Sequence, residues 1–382
     1  MRIPRRDLLK LISSSAALAA CGGAAAREPA VAAHPLDPAA AAPPPAKLRI
    51  LVLGGTGFVG PGIVRAAIAH GHAVTLFNRG KTNPGLFPEV ETILGDRITQ
   101  LDLLKGRDWD AVVDTWAPGP TLVSRAAELL RDHVPHYVFV STISVYKLGR
   151  EPLDESSPVL TLPPGLSVKD IHAITPEVYG PVKALAEQAA EAAMPGRTTS
   201  IRAGVIAGPG DPTGRFTYWP RRMALGGEMI APGTPDDRMQ FLDVRDLDAW
   251  IVQVIEDKTM GVYNAVGPTN PSLGAVLDEI RAAVGGSARL TWIDSAWLEK
   301  NEAGGWGDFP LAVGANDAEA GFGHVSAARA IGKGLRFRPP GETAKDALAW
   351  WNAQPEDKRG KPAGIAPDRE AELLRRWHAK TG

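Results

Sequence analysis

The chain has 382 residues, 44% of them hydrophobic and 22% charged, with a formal net charge of −1. That near-neutral balance sets aside nucleic acid as the main partner, which needs a basic excess, and no apolar run reaches the roughly 18 residues of a membrane-spanning helix. The single cysteine, Cys21, excludes an intrachain disulfide and, lying so near the start, leaves the folded part without a thiol nucleophile or a cysteine metal site.

Residues 1–21 have the charged-then-apolar layout of a secretory signal. Arg5 and Arg6 resemble the twin-arginine type, with Leu9 where phenylalanine is commoner, and Leu18-Ala19-Ala20-Cys21 looks like a lipobox whose cysteine takes a lipid. The alternative is an ordinary signal cleaved after Ala19. Export would place the protein in the periplasm or on a membrane face through that lipid, and an unused signal would leave it in the cytoplasm. Residues 22–46 are rich in alanine and proline without periodicity and read as a disordered tether.

From Lys47 onward the pattern becomes that of an α/β fold. Residues 48–55 (LRILVLGG) are a continuous apolar run ending in glycines, as a buried parallel strand should be. Gly54, Gly57 and Gly60 follow as G-x-x-G-x-x-G, leading into a helical stretch over Phe58 to His70. The first glycine allows a tight turn, the second lets backbone approach a pyrophosphate, and the third permits close helix packing. The strand-then-helix context makes Gly54, Thr56, Gly57, Phe58, Val59 and Gly60 a candidate dinucleotide cradle, with the helix N-terminus favouring the phosphates.

A second strand is expected over His72 to Phe77. At its end, where NAD-specific proteins carry an acid for the ribose 2′-hydroxyl, stands Asn78, followed by Arg79, Gly80 and Lys81. A cation beside an uncharged residue suits a 2′-phosphate and points to NADP over NAD, unless Arg79 and Lys81 are only solvated loop charges. Further strands are expected over Thr92 to Leu94, Ala111 to Val113 and Tyr137 to Val140, with a helix over Leu122 to Leu130. This alternation predicts a doubly wound parallel sheet over residues 47–204, with a return segment near 239–268. A smaller substrate-binding α/β region then takes 205–238 and 269–382.

The fifth strand runs into Ser141-Thr142-Ile143-Ser144-Val145-Tyr146. Downstream stands Tyr179-Gly180-Pro181-Val182-Lys183, whose Tyr-x-x-x-Lys spacing puts both side chains on one helix face. With the glycine motif, these segments resemble the extended short-chain dehydrogenase/reductase family, which contains sugar-nucleotide epimerases and dehydratases. The resemblance runs from about Lys47 to the C-terminus and implies an NADP or NAD cofactor. It makes Tyr179 the general acid/base, with Lys183 lowering its pKa and bonding the nicotinamide ribose. Thr142 would hold the substrate oxygen, with Ser144 as a helper, and Asp96, Ala117 and Ser141 would line the cofactor path. Ile143-Ser144 stands where dehydratases carry an Asp-Glu pair, which counts against water elimination. A proline-bearing insert (Pro158, Pro163, Pro164) is expected to border the pocket.

A sixth strand is expected over Thr199 to Ile206. Beyond it, Arg215, Tyr218, Trp219, Arg221 and Arg222 suit a polyol or an anionic group, although Arg221 and Arg222 read equally as solvated helix charges. Asp246 is expected as a helix cap. Of Trp292, Trp297, Trp306, Trp350, Trp351 and Trp377, most are expected in the core, with Trp306 a candidate pocket wall. No metal site is expected. An exported enzyme has no pool of reduced nicotinamide to draw on, so the expected chemistry is an epimerase or oxidoreductase that keeps its cofactor and acts on a carbohydrate-like secondary alcohol. The alternatives are an NADP-dependent reductase of a small carbonyl compound and a nucleotide-sensing or RNA-binding relative without turnover. Family members often pair through two helices of the nucleotide domain, so a homodimer is a further expectation.

Overall fold

The computed structural model describes residues 46–115, 119–171, 173–268, 271–356, 359 and 363–381. The signal and lipobox reading, and nearly all of the tether, lie outside the described residues. Lys47 onward forms one compact unit. Among the described residues no helix is long and apolar enough to cross a membrane.

Seven parallel strands make the central sheet: β1 (Arg49–Leu53), β2 (Ala73–Asn78), β3 (Glu91–Leu94), β4 (Ala111–Asp114), β5 (Tyr137–Thr142), β6 (Thr198–Ala203) and, after three short strands off the sheet, β10 (Gly261–Ala265). The spatial order is β10-β6-β5-β4-β1-β2-β3. Ile50 pairs with Val74 of β2 on one side and Ala111 of β4 on the other, so the order reverses at β1, and a crevice opens at the carboxyl ends of β1 and β4.

The apolar runs are continuous because both faces are covered. In β1, Ile50 and Val52 join one core with Val138 and Val140 of β5, while Leu51 and Leu53 join a second core with Tyr137 and Phe139. The first core is closed by α1 (Gly60–Ala69) and, later in the chain, α5 (Val244–Glu256). The second is closed by α2 (Pro120–Leu130) and α3 (Pro176–Ala193). Gly62 admits Asp248 of α5, since a Cβ there would sit 1.6 Å from the carboxylate.

A third core gathers residues 205–241 and 273–374. Its elements include β7 (Ile206–Ala207), α4 (Tyr218–Ala224), β8 (Glu228–Pro232), α6 (Leu273–Ala283), β11 (Arg289–Ile293), α7 (Ser295–Lys300), the one-turn α8 (Gly305–Asp308), α10 (Pro340–Ala353) and α11 (Pro367–Thr381). Short parallel pairs join β8 to β11 and β7 to β9 (Leu242–Asp243), and α9 (Ala328–Gly332) lies against β10.

Several expectations are corrected. The sixth strand does not run to Ile206: Gly204 closes on Val266, and the chain leaves the sheet to pair β7 with β9. The first helix begins at Gly60, because Thr56 to Val59 form the loop that leads into it. Asp246 is not the cap of α5. Asp243 is, accepting from the Arg245 N–H at 2.8 Å, whereas Asp246 accepts from the Arg338 backbone and side chain. Of the six late tryptophans Trp351 is buried, while Trp292, Trp297, Trp306 and Trp377 pack partly buried against the third core, largely as expected; Trp109, Trp219 and Trp250 are the other buried indoles.

Candidate active site

The glycine loop shows why each glycine is needed. Gly54 has φ +116°, a region that favours glycine, and a Cβ there would meet Thr115 Oγ1 at 2.5 Å. Gly60 rests on Gly55, where a Cβ would lie 2.5 Å from backbone, so α1 starts directly against the end of β1. A Cβ on Gly57 would meet nothing within 4 Å. This residue faces open space and leaves its backbone free to approach a ligand. Thr115, beyond β4, donates its hydroxyl to the Leu53 carbonyl at 3.0 Å and ties the two strand ends together.

A cleft of about 580 Å³ runs from this loop along the ends of β2 and β3. Gly54, Thr56, Gly57, Phe58, Val59, Gly60, Asn78, Arg79 and Asp96 all line it, as the sequence predicts. The Asn78 carboxamide accepts from the Gly80 N–H at 2.8 Å, which folds the turn that presents Arg79 and Lys81. Asp96 is held by the Ile98 N–H at 2.8 Å. Sequence reasoning missed Thr82, Arg97, Ile98 and Leu122 on the walls. Arg97 carried a signal, following Asp96 directly. It is spent on Asp114, bonding both carboxylate oxygens at 2.6 and 2.5 Å. The Tyr137 hydroxyl donates to the same carboxylate at 2.6 Å. Ala117 lies outside the described residues. Volume, open backbone at Gly57 and a helix N-terminus at Gly60 together fit a dinucleotide.

Beyond the cleft, whose lining includes none of them, Thr142 closes β5, the strand beside β4, and Tyr179 and Lys183 stand on α3. Gly180 lets α3 lie on the Ser144 carbonyl, which would sit 2.1 Å from a Cβ, and Leu160 of the proline-bearing insert packs on the same glycine. Tyr179 is 40% exposed as a residue, yet its phenol is deep enough that burial raises its pKa, opposed by a hydrogen bond with the Thr142 side chain and by the charge of Arg215. Thr142 Oγ1 also accepts from the Ser144 N–H and contacts Ser144 Oγ, both at 3.1 Å.

Lys183 faces the carboxyl end of β5. Its ammonium donates to the Val140 carbonyl at 2.7 Å and lies 4.1 Å from the centroid of the Phe139 ring, so burial lowers its pKa to about 8. The cation acting on Tyr179 is Arg215 rather than Lys183. Ser141 also turns inward, donating to Glu187 at 2.5 Å. Glu187 is clamped by Arg202 of β6, whose guanidinium bonds the Tyr146 hydroxyl at 2.8 Å, and that hydroxyl donates to Asn264 at 2.7 Å. This buried network braces the α3 turn that carries Lys183.

The cationic run after β7 divides. Tyr218 and Trp219 are core residues. Arg222 is neither free nor solvated, bonding Glu370 at 2.6 Å and two backbone carbonyls, while Arg221 stacks 4.3 Å over Trp351. Of the run, only the charge of Arg215 acts on Tyr179. Trp306 stands 6.0 Å from the Arg215 guanidinium and meets Phe322 edge-on at 4.7 Å.

His70, His72 and Glu256 form the only cluster among the described residues with three metal-capable groups close together. The Leu48 N–H donates to His72 Nδ1 at 3.3 Å, so Nε2 carries the proton and donates to Glu256 at 2.9 Å. His70 bonds the same carboxylate oxygen at 2.9 Å. The cluster is a hydrogen-bonded tie between α1, β2 and α5.

Fold and site together define a nucleotide-binding protein of the extended short-chain dehydrogenase/reductase type. Residues 50–266 match the model of the NAD dependent epimerase/dehydratase family, and the chain belongs to that family. Solved structures share the fold at low identity. The Bordetella bronchiseptica enzyme WbmH in complex with NAD+ is 17% identical, with 80% of this chain and 99% of that one covered at a TM-score of 0.58. A UDP-glucuronic acid 4-epimerase from Bacillus cereus, in complex with NAD, is 16% identical over 79% and 98% at 0.54. A human epimerase family protein with NADPH is 21% identical over 79% and 99% at 0.51. No curated protein matches the chain.

Proposed function

We propose that the protein moves hydride at a secondary alcohol carbon of a carbohydrate-like substrate and keeps its cofactor between turnovers, interconverting epimers through a keto intermediate. The observation that carries this reading is the glycine loop and cleft at the ends of β1 and β2, with Thr142 at the carboxyl end of β5 and Tyr179 on α3, their side chains interacting. The nicotinamide ring supplies hydride acceptance and return when bound. Tyr179, as phenolate, takes the proton of the substrate hydroxyl, and Thr142 holds the oxygen through the change from alcohol to ketone. When the carbon is reduced again, Tyr179 returns the proton. Lys183, inside the sheet edge, keeps two N–H groups beyond its Val140 bond for the ribose next to the ring.

Arg79 and Lys81 are exposed, line the cleft and have no ion-pair partner among the described residues. They support a 2′-phosphate and hence NADP, and they favour a second reading, an NADP-dependent reductase of a small carbonyl compound. Export is part of this proposal: the N-terminal sequence resembles a twin-arginine signal, and cofactor loaded before transport would then be retained. The test is to purify the full chain without nucleotide, denature it and identify the released dinucleotide by mass. Near-stoichiometric NADP or NAD is expected. An empty protein that turns over only with added NADPH would replace this reading with the reductase.

A further inference from the structure

Arg215, whose charge acts on Tyr179, is held in place by contacts of its own loop. It follows the loop after β7, in which Gly208 and Gly210 have φ of +122° and +91° and Gly210 packs against Phe58 of the glycine loop. The loop therefore lies against the glycine loop of the dinucleotide cleft, and the charge of Arg215 at its end acts on Tyr179. Within it, the Asp211 carboxylate accepts from the Thr213 N–H at 2.8 Å and the Thr213 hydroxyl at 2.7 Å, and Thr213 Oγ1 accepts from Arg215 Nε–H at 3.0 Å. This chain fixes the guanidinium through Nε alone. Its two terminal nitrogens make no hydrogen bond or ion pair with any described residue. Trp306 covers it from one side at 6.0 Å. Asp211 is 2% exposed and its second carboxylate oxygen has no partner among the described residues.

A guanidinium oriented at one edge, with a free two-pronged edge beside the catalytic phenol, matches a planar oxyanion. We infer that Arg215 is a substrate-binding residue that takes a carboxylate carried by the substrate close to the hydroxyl on which Tyr179 acts, so that the substrate is a hydroxy acid such as a sugar acid. This rests on the function proposed above and narrows its substrate class. The position of Arg215 also makes it the cation that favours the Tyr179 phenolate, burial opposing it on both groups. Lys183, whose ammonium donates to the Val140 carbonyl, is not among the charges that act on Tyr179.

The experiment uses the full chain loaded with NADP and two matched pairs of probes, glucuronate against glucose and lactate against propane-1,2-diol, with binding measured by calorimetry. At least one carboxylate should bind more tightly than its neutral partner. Arg215→Gln should weaken that carboxylate by at least about ten-fold, the loss expected when a bidentate charge-assisted pair is removed, leave the neutral partner unchanged, and be partly rescued by Arg215→Lys. As a second readout, the ultraviolet phenolate titration of each protein minus its Tyr179→Phe counterpart isolates Tyr179. In Arg215→Gln this titration should move to higher pH, which a merely structural arginine would not cause. Equal binding within both pairs, or an Arg215→Gln protein that binds the carboxylate as the wild type does, would overturn the inference. Failure of the parent reading is separate, since it would show as no hydride transfer with any alcohol, charged or neutral.

Discussion

Lys183 offers a quantitative check on the energetics of the site. Its pKa falls from the ordinary 10.5 to about 8, chiefly through burial of the ammonium. A lysine whose folded pKa lies below its unfolded one destabilises the fold wherever it must be carried charged, and that cost disappears as pH rises through the interval between the two values. The shift corresponds to a cost of about 3 kcal/mol below pH 8. Lys183→Met removes this cost and gives up the hydrogen bond to Val140, worth about 1 kcal/mol. In the cofactor-free protein the variant should therefore gain about 2 kcal/mol at neutral pH. By pH 9.5, where the wild-type lysine folds largely uncharged, the gain should shrink by about 2 kcal/mol. Urea unfolding of both proteins at the two pH values measures it, and activity should be lost although the fold is firmer. A variant less stable than wild type at pH 7, or a gain that does not depend on pH, would refute the reasoning.

Three further predictions follow from the packing. Arg202→Met should cost about 3–5 kcal/mol, because Glu187 is left buried without its partner, and adding Glu187→Leu should recover most of the loss in thermal unfolding. Gly57→Ala and Gly60→Ala should separate binding from folding. The first should leave the melting temperature unchanged while weakening dinucleotide binding, its methyl entering open cleft, whereas the second should lower both by forcing α1 away from Gly55. Replacing Arg79 and Lys81 together with serine should weaken NADPH binding by about ten-fold and spare NADH, measured by nicotinamide fluorescence.

The nucleotide half was legible because its signals are local. A buried parallel strand must be apolar throughout, and the three glycines answer to a positive φ, an open approach and a helix contact within a few residues of one another. Tyr179 and Lys183 were found by spacing along one helix, but spacing did not say where each side chain points. Whether an ammonium meets Tyr179 or Val140 depends on how α3 seats on Ser144 and Phe139, contacts made across about forty residues of chain. Arg215 was visible only as one cation in a run. The structure separates it from Arg221 and Arg222 by partners distant in sequence, Trp351 and Glu370. Asp246 was expected as the cap of α5, but the cap is Asp243, three residues earlier, and Asp246 is taken up by Arg338, which lies 92 residues away in sequence.

The central claim is that Tyr179 carries proton transfer for hydride exchange with a dinucleotide held over the glycine loop. It is tested most directly by loading wild type and Tyr179→Phe with cofactor, mixing each with the hydroxy acids and polyols above, and following nicotinamide absorbance. The wild type should reduce its bound cofactor with at least one of them, and Tyr179→Phe should stay silent while holding the cofactor with unchanged affinity. A Tyr179→Phe protein that reacts as fast as the wild type would contradict the account.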